Sequence, residues 1–284
     1  MQATLYLVAT PIGNLEDITL RAIRILREEV AVIACEDTRQ TEKLLAHYNI
    51  GKPLISYHEH NETSRTEQLL ERMQAGESVA LVSDAGTPLI SDPGYRVVKG
   101  AIERGFSVIP IPGPSAILAA LAASGLPSNE FRFVGFLPSK SAARRRLLKA
   151  LMDEQMTVIA YESPHRILEA LADMDEAFGR RPLVVARELT KMHEEFIRGT
   201  ANTIREELAR RPAVKGEITV IVGKSEAAPL IEDPLSEIER LQREQGLDRM
   251  EAIKSVAKRL GVPKRDLYRQ CAEHGNNPQD THRD

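Results

Sequence analysis

Short apolar segments alternate with amphipathic segments through the first part of the chain. The apolar segments are rich in β-branched residues and predict strands at residues 4–9, 30–35, 54–57, 79–82 and 108–111. The segments between them have apolar residues at helical spacing and predict helices at residues 18–28, 41–47 and 67–75. This alternation indicates βαβ units on a mostly parallel sheet.

A second group of strands follows an alanine-rich helix at residues 117–124, which Gly125 and Pro127 end. Its predicted strands are residues 131–136, 157–161, 183–187, 195–198 and 218–222, and its helices are residues 141–153, 165–178 and 203–210. Short hairpin-like connections mix with crossovers, which predicts a mixed sheet packed by helices. We therefore expect an α/β fold with two α/β domains, at residues 1–118 and 119–228.

The end of the chain has a different pattern. A polar, proline-bearing linker at residues 225–234 precedes a helical extension at residues 235–276. Segments 250–260 and 265–271, joined by a glycine-containing turn, predict a helix-turn-helix arrangement. Its basic residues include Lys258, Arg259, Lys264 and Arg265. They form either a solvated face or a nucleic-acid contact.

Composition narrows the class of protein. Of 284 residues, 42% are hydrophobic and 28% are charged, which is typical of globular proteins. The net charge of −3 excludes a globally basic nucleic-acid binder but permits local basic patches. We find no membrane-length apolar stretch and no signal-peptide pattern. Cys35 and Cys271 lie far apart in sequence, so we expect a cytoplasmic protein without disulfides.

Five loops rich in glycine, proline or acidic residues follow predicted strands, at residues 10–17, 36–40, 83–94, 111–116 and 162–166. In a parallel sheet the first four emerge at one edge, where open α/β proteins bind ligands. The third loop, within VSDAGTPLISDPG, is longer than a turn requires. The chain lacks GxGxxG and GxxxxGK[ST] motifs, which argues against NAD and ATP.

Metal and covalent chemistry have weaker signals. The densest group of possible metal ligands is His58-Glu-His60, and we expect a structural or solvated role for it. No GxSxG elbow is present, and no cysteine has an obvious local base. We therefore predict neither a metal site nor a covalent nucleophile.

The loop motifs resemble one family. LVATPIGNLEDITLRA, ACEDTR, VSDAGTPLISDPG, IPGPSA and YESPHR together are similar to the ribosomal RNA small-subunit methyltransferase I family. This family is a branch of the tetrapyrrole-methylase superfamily, whose members use S-adenosylmethionine. The likeness extends from about Leu5 to Gly223, and the helical end matches an extension that some members have.

The resemblance implies a cofactor cleft between two α/β domains, and usually a homodimer. It implies methylation of the ribose 2′-hydroxyl of a cytidine in the decoding region of 16S ribosomal RNA, with the assembled small subunit as a possible substrate. Carried over by position, the cofactor contacts are Pro11, Gly13, Asp84, Thr87, Leu89, Ser115, Ala116, Tyr161, Glu162, Gly216 and Glu217.

Two further groups of residues are candidates for the reaction and for RNA contact. Glu36 and Asp37 offer a carboxylate pair beside Arg39, although Asp37 could instead cap the helix that we expect near Thr41. The basic run with Lys140, Arg144 and Arg145 contains no acid. It could track RNA phosphates or be a solvated helix face.

Two alternatives remain open at this point. A methyltransferase of the same superfamily could act on a tetrapyrrole carbon or on a modified histidine in a protein. A non-enzymatic regulator could use the helix-turn-helix to bind nucleic acid while the α/β part senses a small ligand. The basic run and the helical extension favour RNA as the acceptor.

Overall fold

The computed structural model describes residues 2–225, 233–260 and 262–274, and for residues 244, 245, 258, 259 and 272–274 it describes the backbone alone. The chain divides into two compact units, residues 1–225 and 226–284. Most of the predicted linker, and the predicted domain ends at residues 228 and 276, lie outside the described residues.

The first sheet contains β1 (Thr4–Val8), β2 (Val32–Cys35), β3 (Leu54–Ser56), β4 (Val79–Val82) and β5 (Ser107–Ile111). Its strands are all parallel, in the order β3-β2-β4-β1-β5. The helices are α1 (Leu20–Arg24), α2 (Thr38–His47), α3 (Glu62–Gln74) and α4 (Tyr95–Glu103). Strands β2 and β4 are buried throughout, because separate apolar clusters cover the two faces of the sheet.

The order of these strands places a crevice at the carboxyl ends of β1 and β4. From β1 the chain crosses to β2 on one side, whereas from β4 it crosses to β5 on the other side. Open α/β sheets bind ligands where connections diverge in this way. Beyond the strands, Thr10 and Gly86 exchange backbone hydrogen bonds in both directions at 2.9 Å, which joins the loops after β1 and β4.

The second sheet contains β6 (Phe131–Phe136), β7 (Thr157–Glu162), β8 (Leu183–Arg187), β9 (Glu195–Gly199) and β10 (Ile218–Val222). The order is β6-β7-β10-β8-β9, with β6 parallel to β7 and the other pairs antiparallel. One face packs against α6 (Ser141–Ala150), α7 (Ile167–Phe178) and α8 (Ala201–Ala209). The mixed sheet and the α/β fold class are therefore confirmed.

Helix α5 (Ala116–Ser124) covers the other face of the second sheet. Its buried Ile117, Ala120 and Leu121 belong to one cluster with β7, β8 and β10, which Ile12 of the first loop joins. The predicted boundary between residues 118 and 119 falls inside this helix. Helix α5 thus links the two sheets near the crevice.

In the second unit, the described residues form three helices, α9 (Pro234–Gln245), α10 (Arg249–Leu260) and α11 (Lys264–His274). Their apolar faces form one cluster that includes Ile238, Leu241, Ile253, Val256 and Leu267. Only three residues separate α10 from α11, as in a helix-turn-helix.

Candidate functional site

The ends of strands from both sheets enclose a cavity of about 390 Å³, called here the inter-sheet cleft. The loops after β1, β4 and β5 line one side, and residues at the ends of β6, β7, β8 and β10 line the other. Its lining residues include Ile12, Thr87, Ile90, Asp92, Ser115, Phe136, Tyr161, Glu162, Leu189, Gly216 and Glu217. A cavity of this size between sheets fits a small-molecule ligand.

Apolar and aromatic groups make up much of the cleft wall. The Tyr161 ring lies 5.0 Å from the Phe133 ring and 5.2 Å from the Phe136 ring, measured between centroids. Burial raises the pKa of Tyr161 to about 12, and the negative charges of Asp92 and Glu217 add to the effect. The phenol therefore stays neutral at pH 7 and offers a flat wall with one polar end.

Polar groups enter the cleft at two defined places. Helix α5 begins there, with the Ser115 hydroxyl accepting a hydrogen bond from the Leu118 N–H at 3.4 Å. Free N–H groups at a helix N-terminus favour an anionic ligand group. Asp92 lies on the facing loop, and burial raises its pKa, with a further increase from the charge of Asp84 and an opposing hydrogen bond from Ser83.

Glu162 is the buried acid of the cleft. Its Oε1 atom accepts hydrogen bonds from the Ser163 N–H at 2.6 Å and from Arg166 Nη2 at 2.8 Å. Its Oε2 atom is buried and has no hydrogen-bond partner among the residues that the structure describes. Buried carboxylate oxygens are ordinarily hydrogen-bonded, so Oε2 is suited to accept a hydrogen bond from a ligand.

A second cavity of about 570 Å³, called here the side pocket, adjoins the cleft. It is lined by Thr10, Pro11, Ile12, Gly13, Leu15, Gln40, Thr41, Lys43, Leu44, Ser83, Asp84, Ala85, Lys191 and Glu217. Three of these residues, Ile12, Ala85 and Glu217, also line the cleft. The two cavities therefore share a wall.

Lys191 reaches the side pocket from the loop between β8 and β9. Its Nζ atom donates to Glu188 Oε1 at 2.9 Å and to Glu217 Oε2 at 3.2 Å. A Cβ atom added to Gly13 would meet Lys191 Cγ at 2.5 Å, so the lysine stem lies directly on the first loop. These contacts hold a cation of the second sheet beside residues of the first.

The loop that carries Lys191 has an unusual backbone. Glu188 and Thr190 have φ angles of 54° and 63°. A β-branched threonine rarely adopts this left-handed conformation, so surrounding contacts must hold it there. One such contact joins the two halves of the site, since the Asn14 N–H donates to Thr190 Oγ1 at 3.1 Å.

The cofactor contacts expected from sequence lie in two different cavities, apart from Leu89. Those that line the inter-sheet cleft are Thr87, Ser115, Ala116, Tyr161, Glu162, Gly216 and Glu217. Pro11, Gly13 and Asp84 line the side pocket instead. Leu89 lines neither cavity and packs against the core of the first sheet with a left-handed φ of 72°.

Asp37 and Arg39 have a structural role at the start of α2, which begins at Thr38 and not near Thr41. The Arg39 N–H donates to Asp37 Oδ1 at 2.9 Å, and Arg39 Nη2 donates to Asp37 Oδ2 at 2.7 Å. These hydrogen bonds lower the pKa of Asp37 to about 2. A carboxylate of such low basicity is a poor proton acceptor, which favours the helix-cap interpretation.

Glu36, the third candidate for catalysis, lines neither the cleft nor the side pocket. Its pKa is raised, first by desolvation and then by the charges of Asp84, Asp92 and Asp37. Its position gives no direct support for contact with reacting atoms.

The structure argues against Arg144 as an RNA contact. Its side chain is 1% exposed, and Nε and Nη2 both lie 2.7 Å from Asp173 Oδ2 on α7. The run at residues 140–149 therefore does meet acids in the fold, and Arg144 is not available to RNA phosphates. Arg145 is half exposed and pairs with Asp173 and Glu176, whereas Lys140 is exposed.

Two of the four predicted RNA contacts in the helical unit have described side chains. Lys264 and Arg265 are exposed and border a shallow groove that Met250, Lys254 and Tyr268 also line. The side chains of Lys258 and Arg259 lie outside the described residues. Exposed cations next to an aromatic ring are typical of surfaces that contact nucleic acid.

Sequence reasoning missed several lining residues, among them Asp92, Phe136, Leu189 and Lys191. Asp92 lies inside the quoted motif VSDAGTPLISDPG, so its acidic position after β4 could have indicated it. No sequence signal marked Lys191. The position of its side chain depends on Glu188 and Thr190, which have left-handed backbone conformations although neither is a glycine.

A family model for tetrapyrrole (corrin/porphyrin) methylases matches residues 4–205. The chain belongs to the tetrapyrrole methylase family. Solved structures agree with this family fold. A uroporphyrin-III-C-methyltransferase from Thermus thermophilus has a TM-score of 0.55 at 20% identity, covering 78% of this chain and 94% of its own. A conserved hypothetical protein from Aeropyrum pernix has a TM-score of 0.60 at 19% identity, covering 79% and 86%.

Curated relatives within the family are much more similar in sequence. The ribosomal RNA small subunit methyltransferase I of Halalkalibacterium halodurans is 49% identical over 273 residues, which are 94% of this chain and 94% of the relative. The protein of the same name from Bacillus subtilis is 45% identical over 271 residues, which are 93% and 92% of the two chains. The likeness therefore spans both sheets and continues into the helical unit.

Among the described residues, no helix has the length and apolar character needed to cross a lipid bilayer. Within the same residues, no group of three His, Cys, Asp or Glu side chains is arranged to hold a metal ion.

Proposed function

We propose that this protein is an S-adenosylmethionine-dependent methyltransferase that methylates the ribose 2′-hydroxyl of a cytidine in 16S ribosomal RNA. The observation that carries the proposal is near-full-length similarity to ribosomal RNA small subunit methyltransferase I proteins, with 49% identity over 94% of both chains in one case. The inter-sheet cleft supplies a ligand site with contributions from both sheets.

The residues of the cleft fit S-adenosylmethionine. This cofactor has a cationic sulfonium, a carboxylate, an amino group, a ribose diol and an adenine. The charges of Asp92 and Glu217 and the unpartnered Oε2 of Glu162 suit its positive and hydrogen-bond-donating groups. The N-terminus of α5 suits the carboxylate, and the Tyr161 and Phe136 rings offer flat walls for the adenine.

The cofactor supplies a methyl group on a positively charged sulfur, and the protein has to align that group with the acceptor oxygen. Two residues of the shared wall, Ile12 and Ala85, are apolar and lie on the loops after β1 and β4. The Thr10–Gly86 backbone pair fixes the loops on which they lie. Fixed alignment of this kind lowers the entropic cost of an in-line displacement.

The proposal extends to the partners. The acceptor is ribosomal RNA, and we propose the assembled small subunit as its natural form, the cytoplasm as the location and a homodimer as the working unit. Exposed Lys140, Arg145, Lys264 and Arg265 are proposed phosphate contacts. The two remaining predicted contacts, Lys258 and Arg259, belong to the same helical unit.

Transfer of a labelled methyl group tests the function. Purified protein with labelled S-adenosylmethionine is incubated with naked 16S RNA, with small subunits, and with a tetrapyrrole or whole-protein extract. Nuclease digestion should then release labelled 2′-O-methylcytidine from one of the two RNA samples. Label in a tetrapyrrole or protein with none in RNA would refute the proposal.

Glu162→Gln tests the assignment of the cleft, with S-adenosylmethionine affinity measured by calorimetry. The amide replaces Oε2 with a group that can donate, so binding of the cofactor should weaken while the fold is retained. Asp175→Asn on α7 is a matched control, because Asp175 lines neither cavity. Equal cofactor affinity in the two variants would remove Glu162 from the cofactor site.

A further inference from the structure

We propose that the side pocket holds the acceptor nucleotide, with Asp84 accepting the proton of the attacking ribose hydroxyl and Lys43 contacting its phosphate. The inference rests on the proposed function, and it assigns a task to the cavity beside the cofactor cleft. It also moves Asp84 from the cofactor side, where the family resemblance places it, to the acceptor side.

The side pocket lies where an acceptor can approach a cofactor held in the cleft. Methyl transfer requires the acceptor oxygen to approach the methyl carbon from the side opposite to sulfur. A cofactor in the inter-sheet cleft can meet an acceptor only through an adjoining space. The side pocket shares Ile12, Ala85 and Glu217 with the cleft, so the shared wall is the place where both ligands meet.

The side pocket also has the chemistry of a nucleotide site. Its lining residues include Thr10, Thr41, Ser83 and Gln40, whose hydroxyl and amide groups are of the kind that hydrogen-bonds a ribose or a base edge. The Thr10 hydroxyl already donates to the Ser83 carbonyl at 2.9 Å, so it can only accept from a ligand. One ammonium group comes from each sheet region, Lys43 on α2 and Lys191 on the β8–β9 loop.

The two lysines have different tasks. Lys43 is exposed and hydrogen-bonds only weakly to its neighbour Gln40, with Nζ 3.3 Å from Oε1. It can therefore turn to a phosphate. Lys191 is held by Glu188 and Glu217, so it positions Glu217 at the shared wall and carries positive charge there.

Asp84 is the carboxylate of the side pocket that the fold holds in place. Its Oδ1 atom accepts a hydrogen bond from the Asp37 N–H at 3.0 Å, which fixes the side chain at the start of α2. A carboxylate has several acceptor positions, so this one bond leaves capacity for a ribose hydroxyl. Asp37 itself is committed to Arg39 and lines neither cavity.

The proposed step balances in atoms and charge. The ribose 2′-oxygen forms a bond to the methyl carbon while the bond from that carbon to sulfur breaks. The electron pair of the broken bond goes to sulfur, and the sulfonium becomes a neutral thioether. The hydroxyl proton passes to the Asp84 carboxylate and from there to water.

Three variants test the assignment, namely Asp84→Asn, Lys43→Gln and the control Lys99→Gln. Lys99 is an exposed lysine on α4 and lines neither cavity. Circular dichroism checks the fold, and calorimetry measures S-adenosylmethionine affinity. Single-turnover transfer to small subunits or 16S RNA, whichever the wild type accepts, measures the rate as pH and salt are varied.

Asp84→Asn should bind the cofactor with wild-type affinity and transfer methyl roughly 100-fold more slowly or worse, because a general base contributes about 100- to 10,000-fold. Lys43→Gln should lose roughly 0.7 to 0.9 from the slope of log affinity for RNA against log salt, since one phosphate contact is removed. Lys99→Gln should match the wild type in every measurement.

The results separate failure of this inference from failure of the proposed function. If the wild type transfers no methyl to RNA, the proposed function itself fails. If the wild type is active and Asp84→Asn binds S-adenosylmethionine more weakly, Asp84 is a cofactor contact and the inference is wrong. A Lys43→Gln variant with an unchanged salt slope would also overturn the assignment of the side pocket.

Discussion

Removing Arg144 should destabilise the protein without changing its affinity for RNA. The guanidinium is buried, and two of its nitrogens lie 2.7 Å from Asp173 Oδ2. Arg144→Ala leaves the Asp173 carboxylate, itself 4% exposed, with one partner fewer in the interior. Breaking a buried ion pair from one side costs about 3–5 kcal/mol. Arg145 still holds Oδ1, so we expect the lower end of this range.

Urea denaturation followed by circular dichroism measures the effect. With a slope of about 3 kcal/mol per molar urea, a loss of about 3 kcal/mol moves the midpoint down by about 1 M. Arg146→Ala is the matched control, because the Arg146 guanidinium is exposed. Substitutions at such surface positions change the free energy of unfolding by no more than about 0.5 kcal/mol. The double variant Arg144→Met/Asp173→Leu should recover much of the lost stability, since no charge is then buried alone.

The stability that Arg144→Ala loses should be smaller at acid pH than at neutral pH. Burial by itself would raise the pKa of Asp173, but hydrogen bonds from Arg145 and Arg144 more than offset it and lower the pKa. A lowered pKa in the folded state gives stability that is present above the ordinary value of about 3.9 and is lost at lower pH. The wild type and Arg144→Ala should therefore converge as pH falls below about 4.

RNA binding provides the refuting experiment. Arg144→Ala, assayed at a temperature where it remains folded, should show the wild-type salt slope for RNA affinity. An unchanged urea midpoint together with a shallower salt slope would mean that Arg144 contacts phosphate, and the structural interpretation would be wrong.

Three further predictions concern other parts of the chain. Gly94→Ala should lower the melting temperature, because Gly94 has a φ of 142° and an added Cβ would meet Leu81 Cδ2 at 2.7 Å; an unchanged melting temperature would contradict this. Asp37→Ala should destabilise α2 at neutral pH, and the difference from wild type in thermal unfolding should shrink as pH falls from about 4 towards about 2, because the pKa of Asp37 is about 2 in the folded protein. Deleting residues 226–284 should leave cofactor affinity unchanged in calorimetry and flatten the salt dependence of RNA binding; wild-type salt dependence would show that the exposed lysines there do not contact RNA.

The sequence predicted that the loops after the parallel strands emerge at one edge of the first sheet, and the strand order brings two of these loops together. Parallel strands place their carboxyl ends together, so the loops at residues 10–17 and 83–94 had to meet. Strands β2 and β4 are apolar along their length, and the structure buries them on both faces. Repeated local patterns of this kind are visible in one dimension.

Side-chain partners that are distant in sequence could not be predicted in the same way. Arg144 looked like one cation in a basic run, and its partner Asp173 lies 29 positions further along the chain. Lys191 reaches Gly13 only because Glu188 and Thr190 take left-handed conformations that their residue types do not favour. Such pairings depend on tertiary packing, which no local pattern encodes.

The central position of β10 determines when each half of the protein can form during synthesis. All strands of the first sheet precede residue 112, whereas the second sheet needs residues 218–222 between β7 and β8. At about 5–20 residues per second, the intervening chain takes on the order of 10 s to emerge from a ribosome. From the completion of β8 until β10 emerges, β7 and β8 lack their shared neighbour and expose unpaired edges. The nascent chain is therefore most exposed to misassembly just before its last strand is made, and a chaperone that binds β-edges would protect it most at that stage.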